Sequence, residues 1–275
     1  MALCSALLLG APGHAEVFRD NFDDNHIDPT VWVTDVWGSG PQIAEANQQL
    51  EISMPGSSSG QEIGCKLASV FLLRGNFDVQ VDFRLLTWPV GNGVRMGMGI
   101  DEVGFPSHAG VERTSFGQSD YPGWPREVYC VDFPDGVHGI TGTEDFTGTL
   151  RLVRSGNSQT GYYRSGDTWV VIGTGSAPTG DVRIKVAAWS AYQFMHWDVF
   201  ASWDNLVINT GTIVRPPPAT GACCFPAGVC LQGTQLACQM AGGHYVGDGL
   251  SCEPDPCVVV AVEPSTWGRV KASYR

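Results

Sequence analysis

Two acidic side chains lie close together on one predicted strand and are the first candidates for acid–base chemistry. Glu127 and Asp132 belong to the segment Glu-Val-Tyr-Cys-Val-Asp. Hydrolysis by a pair of carboxylates requires both groups to flank the same bond. Because side chains alternate along a regular strand, residues five positions apart point to opposite faces. The spacing therefore argues against a catalytic pair, and the sequence predicts no catalytic residues.

A nucleophilic serine is the next chemistry that the sequence offers. Residues 56–60 read Gly-Ser-Ser-Ser-Gly, which matches the G-x-S-x-G pattern of hydrolases with a serine nucleophile. That pattern requires a strand before the serine and a helix after it. Neither is evident around residues 55–60, so we interpret this segment as a flexible loop.

The composition indicates a β-rich protein that does not bind nucleic acid. The 275 residues include 35 Gly and 17 Pro, and few long runs have helical periodicity, which favours short strands and turns. Charged residues make up 16% of the chain and the net charge is −12, whereas nucleic-acid binding requires clusters of Lys and Arg. We interpret the dispersed negative charge as a contribution to solubility.

Residues 1–15 resemble a signal peptide. An apolar run from Ala2 to Leu9 precedes small residues and then Glu16, as in the hydrophobic region and cleavage site of an exported protein, although a basic segment is missing. No later run reaches the roughly 20 apolar residues that a membrane helix needs. The sequence therefore predicts a secreted or cell-surface protein without a membrane span.

The positions of the cysteines also indicate a secreted or cell-surface protein. Six of the nine fall in one short C-terminal segment, namely Cys223, Cys224, Cys230, Cys238, Cys252 and Cys257. An even number of cysteines at this density is typical of disulfides formed in an oxidising compartment. Zinc is the alternative, but His244 is the lone histidine of the segment and zinc fingers need a regular His spacing. The fifteen pairings of six cysteines stay open, as does the state of Cys65 and Cys130.

The remaining sequence reads as about a dozen strands with turns between them. The clearest strand is Phe77–Leu86, in which apolar residues alternate with polar ones. Residues 148–175 read as three consecutive strands joined by turns that contain Ser and Gly. In another strand, Gly97 and Gly99 leave one face bare, which marks the close approach of a ligand, another backbone or a bulky neighbour.

This pattern predicts an all-β fold, an antiparallel β-sandwich over residues 16–214. Arg215-Pro216-Pro217-Pro218 cannot continue a sheet, so residues 215–220 are predicted to be a stiff linker. Residues 221–257 then form a small disulfide-rich module, and residues 258–275 form a tail.

Several segments together resemble the concanavalin A-like lectin/glucanase superfamily, and in particular its exported bacterial domains. They are Phe-Arg-Asp-Asn-Phe at 18–22, the strand at 77–86, the three strands at 148–175, and Ser-Trp-Asp-Asn-Leu-Val-Ile-Asn at 202–209. The resemblance covers residues 17–214 and implies a jelly-roll sandwich. The cysteine-rich segment resembles a short module of secreted bacterial proteins that begins Gly-Ala-Cys-Cys.

The resemblance also bears on activity. Glucanases of this superfamily commonly carry Glu-x-Asp-x-x-Glu on one strand, and this sequence has no such run. Lyases of the same fold need a His/Tyr/Arg/Gln cluster, for which His108, Arg113 and Tyr129 are candidates. We therefore favour non-catalytic binding of an extracellular or cell-surface carbohydrate. A glycoside hydrolase or polysaccharide lyase with atypical residues, and a structural surface protein, are the alternatives.

Sugar sites in such sandwiches combine polar side chains of a sheet face with aromatic rings on loops. The candidate carbohydrate-binding residues are Asp82, Arg84, Arg95 and Glu112 from strands, and Trp88, Tyr121 and Trp124 from loops. For each residue alone, a solvated or packed side chain is the alternative.

A structural calcium ion is the one cofactor that the resemblance implies. Sandwiches of the superfamily often hold calcium through oxygen ligands of the first and last strands. Asp20 and Asp204 occupy comparable places in this sequence. Asp204 could instead end a strand pair or accept hydrogen bonds from backbone amides.

Overall fold

Nearly every regular element of the protein is a β-strand. The computed structural model describes residues 17–56, 62–102, 108–117, 122–190, 197–215, 220–225, 228–253 and 256–257. The chain divides into two units, Met1–Arg215 and Pro216–Arg275. The prediction of an antiparallel β-sandwich with a disulfide-rich C-terminal region is confirmed.

The first unit contains fifteen strands in the described residues. They are β1 Phe18–Asp20, β2 Trp32–Trp37, β3 Gln42–Ala46, β4 Gln49–Met54, β5 Ile63–Ser69, β6 Leu72–Thr87, β7 Arg95–Glu102, β8 His108–Ser115, β9 Glu127–Asp132, β10 His138–Gly142, β11 Thr147–Ser155, β12 Ser158–Ser165, β13 Thr168–Ser176, β14 Val182–Ser190 and β15 Val199–Val214.

These strands form two antiparallel layers. The front sheet has the order β10-β9-β8-β7-β14-β5-β2. The back sheet has the order β13-β12-β11-β6-β15-β4-β3, and β1 also pairs with β15. A single pairing, Val182 with Leu73, joins β14 to β6 at the edge between the layers.

The hydrophobic core lies between the two sheets. On β6, Phe77, Val79 and Val81 are at most 1% exposed, while the polar residues between them face outward. Burial of each such side chain contributes about 1.5–3 kcal/mol. The alternation predicted for Phe77–Leu86 is therefore confirmed, but the strand is longer than predicted and runs from Leu72 to Thr87.

Some elements differ from the prediction. The first strand ends at Asp20, because Phe22 has a φ of 50°. This left-handed conformation cannot continue a strand, and the Asp20 carboxylate accepts a hydrogen bond from the Phe22 amide at 3.0 Å. Strands β3 and β10 were not predicted, since neither shows a long apolar alternation.

The second unit is a small sheet tied by three disulfides. Its elements are β16 Thr220–Phe225, β17 Val229–Thr234, α1 Gln235–Met240 and β18 His244–Asp248. The bonds join Cys223 to Cys238, Cys224 to Cys257, and Cys230 to Cys252. Such crosslinks limit the freedom of the unfolded chain and stabilise small modules with little core.

The six-residue helix α1 was not expected from the sequence. Thr234 caps it, because its side-chain oxygen accepts a hydrogen bond from the Ala237 amide at 3.1 Å. Within the described residues, no helix has the length and apolar character needed to cross a membrane.

Candidate functional site

A cluster of hydrogen-bonded polar side chains lies on the outer face of the front sheet. The strand register places Arg95 between Trp189 on β14 and Thr114 on β8. Two residues further along β7, Gly97 lies between Ala187 and Glu112. These neighbouring rows surround a cavity of about 200 Å³, which we call the front cleft. Its walls and floor include Trp37, Glu62, Lys66, Gly97, Gly99, Gly110, Glu112, Lys185, Ala187 and Trp189.

Glu112 is the buried charge of the front cleft. Its side chain is 3% exposed, and the Arg95 guanidinium donates to Oε2 from Nη2 at 2.7 Å and from Nε at 2.8 Å. Thr114 Oγ1 donates to the same oxygen at 3.1 Å, and the Cys130 thiol donates at 3.2 Å. All four hydrogen bonds converge on Oε2, so Oε1 accepts none of them.

Burial and neighbouring charges shift the pKa values of Cys130 and Arg95. Burial, with Glu112 as the nearest charge, raises the pKa of the Cys130 thiol well above its ordinary value. The thiol therefore stays protonated and remains a donor to Glu112. Burial alone would lower the pKa of Arg95, but Glu112, Cys130 and Asp132 outweigh it and raise that pKa.

Glycines form the floor of the front cleft. A Cβ atom on Gly97 would lie 2.6 Å from Glu112 Cγ and 2.8 Å from the Val111 carbonyl oxygen. A Cβ atom on Gly99 would lie 2.8 Å from the Ala109 carbonyl oxygen. All three distances are far inside van der Waals contact. Gly97 thus makes room for the Glu112 side chain, and both glycines are buried against their neighbours.

Two indole rings stand at the side of the cleft formed by β14, β5 and β2. The Arg95 guanidinium lies 5.3 Å from the ring centroid of Trp189, within cation–π distance. The Trp37 ring covers Gly64, and Trp37 Nε1 donates to Glu62 Oε1 at 3.2 Å. Both rings are partly exposed. They are therefore fixed by their neighbours and still present ring surface.

Several other charged groups of this face form pairs of opposite sign. Lys185 contacts Asp101 at 2.5 Å and Lys66 contacts Asp35 at 3.3 Å. Asp132 lies 4.0 Å from Arg95 Nη2, the same atom that binds Glu112. One guanidinium therefore contacts both carboxylates.

One of the predicted carbohydrate-binding residues, Glu112, lines the front cleft, and Arg95 contacts it there. Arg95 and Glu112 form the ion pair described above. Asp82 and Arg84 lie on β6 in the back sheet, where Asp82 accepts hydrogen bonds from Thr149 and Asn205. The expectation that these four strand residues share one polar surface is therefore corrected. Strand alternation assigns a residue to an outer face, but it does not say which of two sheets that face belongs to.

The predicted aromatic residues lie elsewhere. Trp88 is 6% exposed and donates from Nε1 to Glu127 at 2.9 Å, so it packs in the interior rather than on a loop surface. Trp124 is 43% exposed and contacts Phe116 edge-on. Tyr121 falls outside the described residues. None of the described aromatic residues predicted for binding lines the front cleft.

The residues considered for catalysis are also separated. Glu127 is hydrogen-bonded inside the sandwich, whereas Asp132 contacts Arg95 on the outer face. This agrees with the opposite faces expected from their spacing. Arg113 and Tyr129, considered for a lyase, are each 1% exposed and face the interior.

Asp20 and Asp204, the predicted calcium ligands, have protein partners. Both oxygens of Asp20 accept hydrogen bonds, one from the Phe22 amide and one from Trp32 Nε1 at 2.6 Å. Burial first, then the charges of Asp82 and Asp23, raises the pKa of Asp204. Among the described residues, no group of three or more His, Cys, Asp or Glu side chains could hold a metal ion. Calcium therefore stays a prediction of the resemblance alone.

The sequence missed Trp37, Trp189 and the lysines of the front cleft. Gly97 and Gly99 were the signal that could have found them, since bare strand positions require neighbours that use the space. The register that brings β14 and β5 beside β7 could not be obtained from local pattern.

No protein-family model matches this chain, and a search of curated proteins gives no match. Solved structures do resemble it. LamAcat from Zobellia galactanivorans is 12% identical, with 71% of this chain and 98% of that one aligned at a TM-score of 0.51. A LamA variant from the same organism, in complex with laminaritriose and laminaritetraose, is 12% identical over 70% and 98% of the two chains at 0.51.

A β-1,3-1,4-glucanase (lichenase) derived from a mouse hindgut metagenome is 13% identical, with 70% and 97% of the two chains aligned at a TM-score of 0.50. At these identities the likeness concerns the fold. It agrees with the β-sandwich architecture described above.

Proposed function

We propose that this protein is an exported, non-catalytic carbohydrate-binding protein whose ligand lies in the front cleft. The observation that carries this proposal is a cleft with a glycine floor, flanked by the indole rings of Trp37 and Trp189 and by Glu112, which is paired with Arg95. The glycines add no side chains that would fill the cleft, and the rings offer apolar faces beside fixed polar groups.

A sugar suits this combination of surfaces. One face of a pyranose ring is rich in C–H groups and packs on an aromatic ring, while its hydroxyl groups need both donors and acceptors. Trp189 supplies such a ring, and Glu112 Oε1 is an acceptor that the four internal hydrogen bonds leave unused. The similarity in fold to a LamA variant that binds laminaritriose and laminaritetraose supports the same class of ligand.

The ion pairs favour binding over hydrolysis. Glycoside hydrolysis requires one carboxylic acid that gives a proton and one carboxylate that acts as a base or nucleophile. Here the Arg95 guanidinium contacts both Glu112 and Asp132. Both carboxylates are therefore ion-pair partners of one cation, an arrangement that favours a structural role over acid–base chemistry.

The disulfides support export. Three disulfides in a unit of about 60 residues are typical of proteins that fold in an oxidising compartment. A secreted or cell-surface location also places a carbohydrate-binding protein where polysaccharides occur.

A binding panel with a matched tryptophan pair tests the proposal. The purified chain is passed over immobilised polysaccharides and a glycan array, together with Trp189→Ala and Trp169→Ala. Trp169 is the control because it is also partly exposed and lies 5.1 Å from a guanidinium, that of Arg151, but on the back sheet. We expect retention on at least one ligand that Trp189→Ala abolishes and Trp169→Ala preserves. No retention on any ligand would contradict the proposal and favour a structural surface protein.

A glycoside hydrolase is the second candidate, because two acidic residues, Glu112 and Asp132, do lie near one guanidinium on the outer face. Incubation of the same polysaccharides with the protein, followed by a reducing-end assay, separates the two functions. Release of new reducing ends that Glu112→Gln abolishes would establish hydrolysis. Retention without release would establish binding.

A further inference from the structure

We propose that the protein has a second saccharide site, at one end of the sandwich, for a neutral oligosaccharide. This end cleft has a volume of about 990 Å³, and it shares no lining residue with the front cleft. Its size lies at the upper end of the roughly 300–1,000 Å³ typical of ligand sites. The residues that carry the proposal are Trp88, Arg113, Glu144, Asp145, Phe146 and Tyr163.

A buried ionic network underlies the end cleft. Arg113 is 1% exposed, and its Nη1 donates to Glu127 Oε2 at 2.6 Å. Glu127 also accepts hydrogen bonds from Trp88 Nε1 at 2.9 Å, Ser115 Oγ at 2.5 Å and the Gly91 amide at 3.3 Å. The charge of Arg113 is thus matched by a fully hydrogen-bonded carboxylate. A floor without net charge suits a neutral ligand better than an anion.

The Nη2 atom of Arg113 is a donor that the internal hydrogen bonds of this residue do not use. Its Nε donates to the Asp145 carbonyl at 3.2 Å, and its Nη1 donates to Glu127 and to the Thr114 carbonyl at 3.0 Å. None of these bonds uses Nη2, although Arg113 lines the cleft. A rigid guanidinium with an unused N–H is a suitable partner for a sugar hydroxyl.

A prearranged aromatic platform forms one wall. Tyr163 stacks on Tyr129 with ring centroids 4.4 Å apart and an angle of 13° between the rings. The Tyr129 hydroxyl donates to Asp145 at 2.9 Å, which holds the lower ring in place. Phe146 adds a ring that is 54% exposed. Ring faces that are fixed before binding lose little conformational entropy on contact with a ligand.

The end cleft also contains hydrogen-bond acceptors for the hydroxyl groups of a sugar. Glu144 and Asp145 are exposed at the mouth of the cleft, and the side chains of Thr143 and Ser165 also line it. Carboxylate and hydroxyl oxygens beside an aromatic ring match the hydroxyl groups and the apolar face of a pyranose. The proposal concerns a different surface from the front cleft and does not depend on binding there.

The experiment is made in the Trp189→Ala chain, so that the front cleft does not contribute. This protein, the same protein with Phe146→Ala, and the same protein with Phe200→Ala are titrated with laminaritetraose, cellotetraose and mannotetraose. Phe200 is the matched control, since it is a phenylalanine 44% exposed on β15 and does not line the cleft. Calorimetry measures affinity. The Trp88 Nε1–H signal, assigned by its loss in Trp88→Phe, reports the location.

We expect at least one saccharide to bind, to shift the Trp88 signal, and to bind about tenfold more weakly with Phe146→Ala. Phe200→Ala should leave the affinity unchanged within about twofold. The proposal is overturned if no saccharide binds the Trp189→Ala chain, or if binding is insensitive to Phe146→Ala. Saccharides that bind the unmodified chain but not the Trp189→Ala chain would support the front cleft and contradict the end cleft, so the two sites are tested separately.

Discussion

Replacing Glu127 with Gln should destabilise the sandwich more than any other single conservative change near the end cleft. The substitution keeps the size of the side chain but removes the negative charge beside Arg113. The guanidinium is 1% exposed and 2.6 Å from the carboxylate. Glutamine also replaces one acceptor oxygen by an NH₂ group, which cannot accept from Trp88 or Ser115.

The size of the effect follows from the burial of Arg113. Removing one partner of a buried ion pair typically costs about 3–5 kcal/mol, because the remaining charge is left in a poor solvent. For a unit of about 215 residues, each kcal/mol lowers Tm by about 2–4 °C. We therefore expect Glu127→Gln to lower Tm by roughly 6–20 °C.

Urea unfolding followed by fluorescence, together with calorimetry, measures the change. Glu144→Gln is the matched control, since Glu144 lines the same cleft but is exposed. It should change the free energy of unfolding by less than about 0.5 kcal/mol. The double variant Arg113→Met with Glu127→Gln removes the stranded charge and should recover much of the loss.

A loss below about 1 kcal/mol for Glu127→Gln would refute this reasoning. It would mean that water reaches the Arg113 guanidinium, or that the ion pair contributes no more than a surface pair. A double variant less stable than both single variants would refute it as well, because removal of both charges should relieve the cost.

Three further predictions follow from individual contacts. Burial, followed by the hydrogen bond and charge of Asp24, raises the pKa of Glu45 from 4.5 to about 7; the folded state therefore binds more protons than the unfolded state in that range, and stability falls as pH rises through it. In Glu45→Gln this fall of Tm with pH should shrink, and an identical pH profile would contradict the assignment. Cys65 and Cys130 are buried and form no disulfide, so an alkylating reagent should label these two residues only after denaturation. Labelling of either residue in the native protein would disprove its burial. If the calcium ion implied by the resemblance is present, EDTA lowers Tm and Asp204→Ala abolishes that shift. An unchanged melting curve in EDTA would contradict the presence of the ion.

The alternation of the strands made the layered architecture predictable. Phe77, Val79 and Val81 could be assigned to the core because strand geometry fixes the direction of every second side chain. The same rule correctly separated Glu127 from Asp132. Both inferences use only the local geometry of one strand.

Contacts between distant strands could not be predicted in this way. Arg84 and Arg95 are eleven residues apart, yet they lie on different sheets because the chain crosses between layers after Thr87. Trp37 and Trp189 meet at one cleft only through the register of β2, β5 and β14. Pairing of this kind depends on the whole fold, so no single segment contains it.

Because the floor of the front cleft consists of glycines, substitutions at the floor and at the walls have different effects on the shape of the cleft. Every substitution at Gly97, Gly99 or Gly110 adds atoms, so mutation of the floor can only make the cleft shallower. A broader ligand range must instead arise from the walls, where Trp37 or Trp189 can be replaced by smaller residues. Diversification of this surface, in nature or in a directed-evolution library, should therefore proceed through its tryptophans while its floor stays fixed.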